Sequence, residues 1–144
     1  MNGTYREHIT FFNATLEVSK TEYRICFYYP GPDLRHKGHW DYINGKDIDS
    51  YIEALNINYD KYKEFKALNA DGSITSWGKK GMYISAAKDT YIDGIKFSSI
   101  DGIQLSSHSS HYIKTEQDLA KAIESLVKAK KRGEAVMTFM NSMD

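Results

Sequence analysis

One cysteine, two prolines and no surplus of either charge leave the chain with few of the usual signposts. With Cys26 as the lone thiol, no intramolecular disulfide can form, and such usage suits a reducing compartment. Cys26 lies inside a strand pattern with no activating neighbour in the sequence, so it reads as a packed side chain and not as a nucleophile. Nineteen basic side chains balance nineteen acidic ones. That balance argues against binding nucleic acid mainly by phosphate neutralisation, and equally against an acidic mimic of DNA. No apolar run approaches the length of a membrane span, and the opening residues, MNGTYREH, form no apolar leader. A soluble, cytoplasmic protein with no membrane contact is expected. Phosphate-cradling loops are missing too: Gly78 and Gly81 lack a P-loop frame, and no G-x-G-x-x-G occurs. No cofactor is implied, and no spacing of Asp and Glu singles out a catalytic pair.

What remains is an ordinary globular composition. Its 144 residues, 41% hydrophobic and 26% charged, suffice for one core without disulfide or metal, and a single globular domain over 1–144 is expected. Lysine outnumbers arginine, and Ile, Asn, Tyr and Phe abound. All have AT-rich codons, which points to a low-GC bacterium or one of its phages.

Alternation organises the first thirty residues. Phe12, Ala14, Leu16 and Val18 form one apolar parity, and Tyr23, Ile25, Phe27 and Tyr29 form another. Antiparallel partners must share a face, so a four-residue loop, Ser19-Lys20-Thr21-Glu22, pairs Leu16 with Ile25 and Ala14 with Phe27. It also sets Glu17 opposite Arg24 on the outer face. Pro30-Gly31-Pro32 closes this hairpin, and a long loop to about Lys46 carries Asp33, Arg35, His36, His39, Trp40, Asp41 and Tyr42. Asp47 then caps a helix bearing Ile48, Tyr51, Ile52 and Leu55. Asn56-Ile57-Asn58 interrupts the pattern, and Asn58 can cap a second helix with Tyr59, Tyr62, Phe65 and Leu68 on its apolar stripe. A DNA-reading helix-turn-helix would want a basic second helix, so the tyrosines are assigned to the core.

Two tandem octets, IDGIKFSS and IDGIQLSS over 92–107, place Asp-Gly hairpin signals in a second β-rich stretch. Strands are expected near 82–86, 90–92, 95–100 and 103–106. Thr115-Glu116-Gln117-Asp118 opens a last helix as a capping-box-like start, with Leu119, Ile123, Leu126 and Val127 as its buried stripe. Lys128, Lys130, Lys131 and Arg132 would crowd its final turn, Gly133 would cap it, and a short strand over 135–140 would follow. The expected fold is α+β: an antiparallel sheet built from the N-terminal hairpin and the C-terminal β segment, a central helix pair, and one amphipathic helix near the C-terminus.

The candidate chemistry is sparse. Two H-x-x-H pairs, His36 with His39 and His108 with His111, are the best metal-ligand spacing present, but no cysteine or H-E-x-x-H accompanies them. His8-Ile9-Thr10-Phe11 matches, in isolation, the H-φ-T-φ element of two-histidine phosphoesterases, where two such elements share proton transfer on one phosphate. A second copy near His108 to Ile113 is poor. Of eleven tyrosines, Tyr5, Tyr28, Tyr42, Tyr83, Tyr91 and Tyr112 are candidates for surface or rim positions, a composition that matches protein-binding surfaces and equally an amphipathic core lining. The leading reading is a small, non-enzymatic binding protein, a mobile-element or phage-encoded inhibitor that engages a host macromolecule through loops 31–46 and 77–81. His36, His39, Trp40, Tyr42, Trp77, Lys79 and Lys80 are its candidate binding residues. A two-histidine phosphoesterase acting on a nucleotide ranks second. Third is a binder of single-stranded nucleic acid or a phosphate ligand, using Trp77 with Lys79, Lys80 and the Lys128 to Arg132 cluster.

Overall fold

Period-2 alternation does build the N-terminal sheet, and the sheet is larger than one hairpin. The computed structural model describes residues 3–10, 13–29, 39–68, 82–83, 102–104 and 112–143. Strands β1 (Tyr5–Ile9), β2 (Ala14–Val18), β3 (Tyr23–Tyr29) and β4 (His39–Asn44) form an antiparallel meander in the order β1-β2-β3-β4. Leu16 pairs with Ile25 and Glu17 with Arg24, the register that the four-residue loop requires. Ser19 organises that loop: its Oγ accepts from the backbone N–H groups of Thr21 and Glu22, and its own N–H donates to the Glu22 carbonyl at 2.8 Å.

After β4, a 3-10 turn (Gly45–Asp47) leads into helix α1 (Ile48–Leu68). Short strands β5 (Met82–Tyr83), β6 (Ile103–Gln104) and β7 (Tyr112–Ile113) precede helix α2 (Glu116–Ser142). The class is thus α+β, with five differences from the expected outline, the first being β1, which the outline lacked. The segment 39–44, read as loop, is a strand, because its backbone completes the free edge of β3 with Tyr28 opposite Trp40 and Cys26 opposite Tyr42. The expected helix pair is one continuous helix. The side-chain amides of Asn56 and Asn58 donate to the carbonyls of Ile52 and Ala54, four residues back, at 3.1 and 2.9 Å. Their polar groups are met inside the helix, so no break is needed.

The C-terminal β segment forms a separate sheet in the order β5-β6-β7, parallel between β5 and β6, and among the described residues it does not join the first sheet. Gly102 takes φ 99°, the conformation that the Asp-Gly signal assigns to glycine, and a Cβ there would strike the Ile113 carbonyl. The strands expected over 90–100 and the first Asp-Gly turn lie outside the described residues. Finally, Gly133 does not end α2, and residues 135–140 are helical. Thr115 and Asp118 do cap its start: Thr115 Oγ1 accepts the Asp118 N–H at 3.0 Å, and the Asp118 carboxylate accepts the Lys114 N–H at 3.2 Å.

Two compact units result. The first comprises Met1–Ile48 with Lys121–Asp144, the second Asp49–Ala120. In the second, Ala54, Leu55, Tyr59, Tyr62, Ile103, Ile113 and Leu119 are buried, so Tyr59 and Tyr62 serve the core as expected. The first unit buries Ala14, Leu16, Val18, Ile25 and Phe27 of the sheet together with Ala122, Leu126, Ala129 and Met140 of α2. Ala122, Leu126, Ala129 and Gly133 recur at spacings of three and four, so small residues dominate the buried stripe, and Ile123 and Val127 flank it half-buried.

The small residues have a purpose at Tyr23. Its ring lies against Gly45 of the 3-10 turn and Gly133 of α2, so closely that a Cβ at either glycine would overlap ring carbons. The Tyr23 hydroxyl then donates to Glu134 at 3.4 Å. Gly133→Ala would raise helix propensity by about 1 kcal/mol. Overpacking of this ring, about 1–3 kcal/mol in a well-filled core, should reverse the sign. The urea midpoint is expected to fall in Gly133→Ala and to fall less when Tyr23→Leu has already removed the ring. A midpoint that rises in the single variant would contradict the packing described.

Candidate functional site

The register of the meander assigns every side chain of its strands to one of two faces. Tyr5, Glu7 and Ile9 share a face with Val18, Leu16 and Ala14 and with Tyr23, Ile25 and Phe27, the face that α2 covers. The opposite face carries Arg6 and His8 on β1, Thr15 and Glu17 on β2, Arg24, Cys26 and Tyr28 on β3, and Trp40, Tyr42 and Asn44 on β4. Three of its aromatic rings are open to solvent, with Trp40 at 54%, Tyr28 at 47% and Tyr42 at 44% exposure.

These rings are held and not merely displayed. Tyr28 and Trp40 stand directly opposite on adjacent strands, their centroids 4.6 Å apart and their planes tilted by 39°. Cross-strand aromatic pairs of this kind limit ring motion and stabilise the sheet. The Arg24 guanidinium lies 4.1 Å from the centre of the Tyr42 ring. Glu17 fixes Arg24 from the other side at 3.1 Å, and its second oxygen takes Arg6 at 3.2 Å. One carboxylate therefore orders two guanidiniums, and one of these orders an aromatic ring.

Cys26 sits within this arrangement, flanked in register by Thr15 and Tyr42, and is buried. Burial, with a hydrogen bond to Glu17, pushes its thiol up to about 12. Partial burial would raise the Glu17 carboxyl as well, but hydrogen bonds from Cys26, Arg24 and Arg6 outweigh it and hold the group below its ordinary range. The face thus offers contact area and donors, while its one thiol stays protonated.

Of the seven residues singled out in the sequence, Trp40 and Tyr42 belong to this face, and His39 begins β4 opposite Tyr29. His36, Trp77, Lys79 and Lys80 lie outside the described residues, as do His108 and His111. Tyr28, Arg24, Arg6 and Glu17 join Trp40 and Tyr42 although the sequence did not mark them as a group. Parity carried from β3 to a following strand would have joined Arg24 and Tyr28 to Trp40 and Tyr42, and Glu17 was already set opposite Arg24, but Arg6 lies on β1, which the sequence reading did not assign as a strand.

His8 is exposed on β1, opposite Thr15, and Thr10 follows the strand. Among the described residues no group of three His, Cys, Asp or Glu could hold a metal ion, and no helix is long and apolar enough to cross a membrane. The Lys128 to Arg132 cluster lies in the middle of α2, ten residues short of its end, so the helix dipole does not account for it. No family model, curated protein or solved structure matches the chain.

Two measurements check the electrostatics. Cys26 should resist iodoacetamide at pH 8 in the native protein and react once urea unfolds it; rapid stoichiometric labelling of the folded chain would contradict a thiol shifted upward. Because the folded Glu17 carboxyl titrates below its unfolded value, its stabilisation is present above the ordinary carboxylate range and lost as pH falls through the folded value. The stability gap between wild type and Glu17→Gln should therefore narrow from pH 7 to pH 3 in urea titrations. A constant gap would show that Glu17 is not selectively stabilised as a carboxylate.

Proposed function

We propose that the protein is a non-enzymatic binding protein that engages a host protein through the solvent face of its four-stranded sheet. The observation that carries the reading is the ordered set of exposed Tyr28, Trp40 and Tyr42 with half-buried Arg24, all on paired strands. Trp, Tyr and Arg are the residues that dominate binding energy at protein interfaces, because each offers large area with a polar tip. Holding them on strands reduces the ordering cost of association. This moves the contact surface from the loops anticipated in the sequence to the sheet, with Trp40 and Tyr42 common to both.

The partner is taken to be a cytoplasmic protein of a low-GC bacterium, and the chain to be an inhibitor carried by a phage or other mobile element. The codon-linked composition and the small size support that setting. A tagged wild-type protein should retain a discrete partner from such a lysate, and the purified pair should bind at least about 30-fold more weakly after Trp40→Ala, the factor that a hot-spot loss of about 2 kcal/mol produces. Equal retention by Trp40→Ala and Tyr28→Ala would reject the face. The same rings could stack bases, and Arg24 and Arg6 could meet phosphates. Binding to single-stranded oligonucleotides that weakens steeply with salt would replace the protein partner with nucleic acid.

A further inference from the structure

β1 is the end strand of its sheet, so among the described residues no strand lies along its second edge. A cavity of about 820 Å³ opens beside it, lined on the β1 side by four consecutive residues, Glu7, His8, Ile9 and Thr10. Consecutive strand residues point to opposite faces. A cavity that touches all four reaches the backbone edge, and through Leu16 of β2 it also extends onto the face covered by α2. A second cavity of about 610 Å³ continues past Gly3, Thr4 and Tyr5, and the two share Arg132 and Ala135.

The other wall is one side of α2. Ser125, Lys128, Ala129, Arg132, Ala135, Val136, Phe139 and Met140 contribute, at helical spacings of one, three and four. The five residues of β1 span about 17 Å at roughly 3.3 Å each. Sixteen helical residues span about 24 Å at roughly 1.5 Å each. The helix wall extends past both ends of β1, and edge and helix run in opposite directions, since Thr10 shares a cavity with Lys128 and Gly3 shares one with Met140.

The trough changes character along its length. Lys128, Lys131 and Arg132 gather at the Thr10 end, while Val136, Phe139 and Met140 line the Gly3 end. Glu7 answers Arg132 at 3.0 Å, and Glu124 answers Lys128 at 2.9 Å, so the cations are partly balanced. Lys131 adds a further positive charge to the wall.

We propose that this trough binds an extended peptide segment of a partner protein, which adds a fifth strand along β1. The backbone edge, unpaired among the described residues, supplies main-chain hydrogen bonds, and the helix wall supplies the specificity, as in other cases of strand addition. Entering antiparallel to β1, the segment carries Asp or Glu in its first half, against Lys128 and Lys131, and apolar side chains in its second half, against Val136 and Phe139. The site shares only His8 with the aromatic sheet face and uses none of its rings.

Random decapeptides displayed against the full-length protein test this directly. Enriched sequences should be acidic first and apolar later, and a synthetic copy should bind about tenfold more weakly to Lys128→Gln/Lys131→Glu, whose fold circular dichroism would confirm. N-methylation at alternate backbone nitrogens of the peptide should abolish binding in one of the two possible phases and leave the other nearly unchanged. Trp40→Ala should bind the peptide as wild type does. Failure to enrich any peptide, equal tolerance of both methylation phases, or affinity unchanged by the lysine substitutions would overturn the proposal. So would displacement of the peptide by a β1-mediated dimer in light scattering, which would assign the edge to a second copy.

Discussion

The close approach of α2 to the sheet depends on one aromatic ring and two missing side chains. Tyr23 ends the Ser19–Glu22 loop, and its ring fills the space left by Gly45 and Gly133. Because a ring occupies that space, the helix can pass over β3 at a distance that no larger residue at position 133 would permit. The contact also explains why a glycine is retained in the middle of a 27-residue helix, where it costs about 1 kcal/mol relative to alanine. The remaining links between α2 and the sheet follow from it: Arg132 reaches Glu7 and the Tyr5 hydroxyl, and the Asn141 amide reaches the Lys20 carbonyl.

With one face sealed by α2, the other becomes a polar and aromatic surface built on fixed spacings. Part of its order derives from Glu17, which holds Arg6 and Arg24 and accepts a hydrogen bond from the Cys26 thiol. Two consequences are chemical. A carboxylate engaged by two guanidiniums and a thiol has little capacity left for proton transfer, and a thiol shifted to about 12 has no nucleophilic form near neutrality. The same contacts that quiet these groups fix Arg24 over the Tyr42 ring, while Tyr28 and Trp40 hold each other across the strands.

Much of this was legible from side-chain parity. Leu16 could pair with Ile25 only if the loop had four residues, and Glu17 then had to meet Arg24, so the register of β2 against β3 was readable to the residue. The start of α2 was equally plain, because Thr115 and Asp118 stand at capping distance. β1 was missed because Glu7, a charged residue, occupies an inward position, and its partner Arg132 is 125 residues away. β4 was hidden by the Trp40-Asp41-Tyr42 sequence, whose polar centre and long preceding segment resemble a loop. At Asn56 and Asn58 the local preference of asparagine for caps pointed to a break, whereas side-chain bonds to carbonyls four residues back let the helix continue.

Local rules set the alternation, the Ser19 loop register, the α2 cap and the balance of charge, since each involves neighbours within a few residues or a sum over the whole chain. Tertiary packing decided that Gly133 would be a helix interior and not a stop, because only the Tyr23 ring, 110 positions earlier, distinguishes those roles. It likewise turned a run of lysines expected to end a helix into one wall of a trough beside β1. Glycine and lysine carry no record of their distant neighbours, and contact with those neighbours gives each its meaning here.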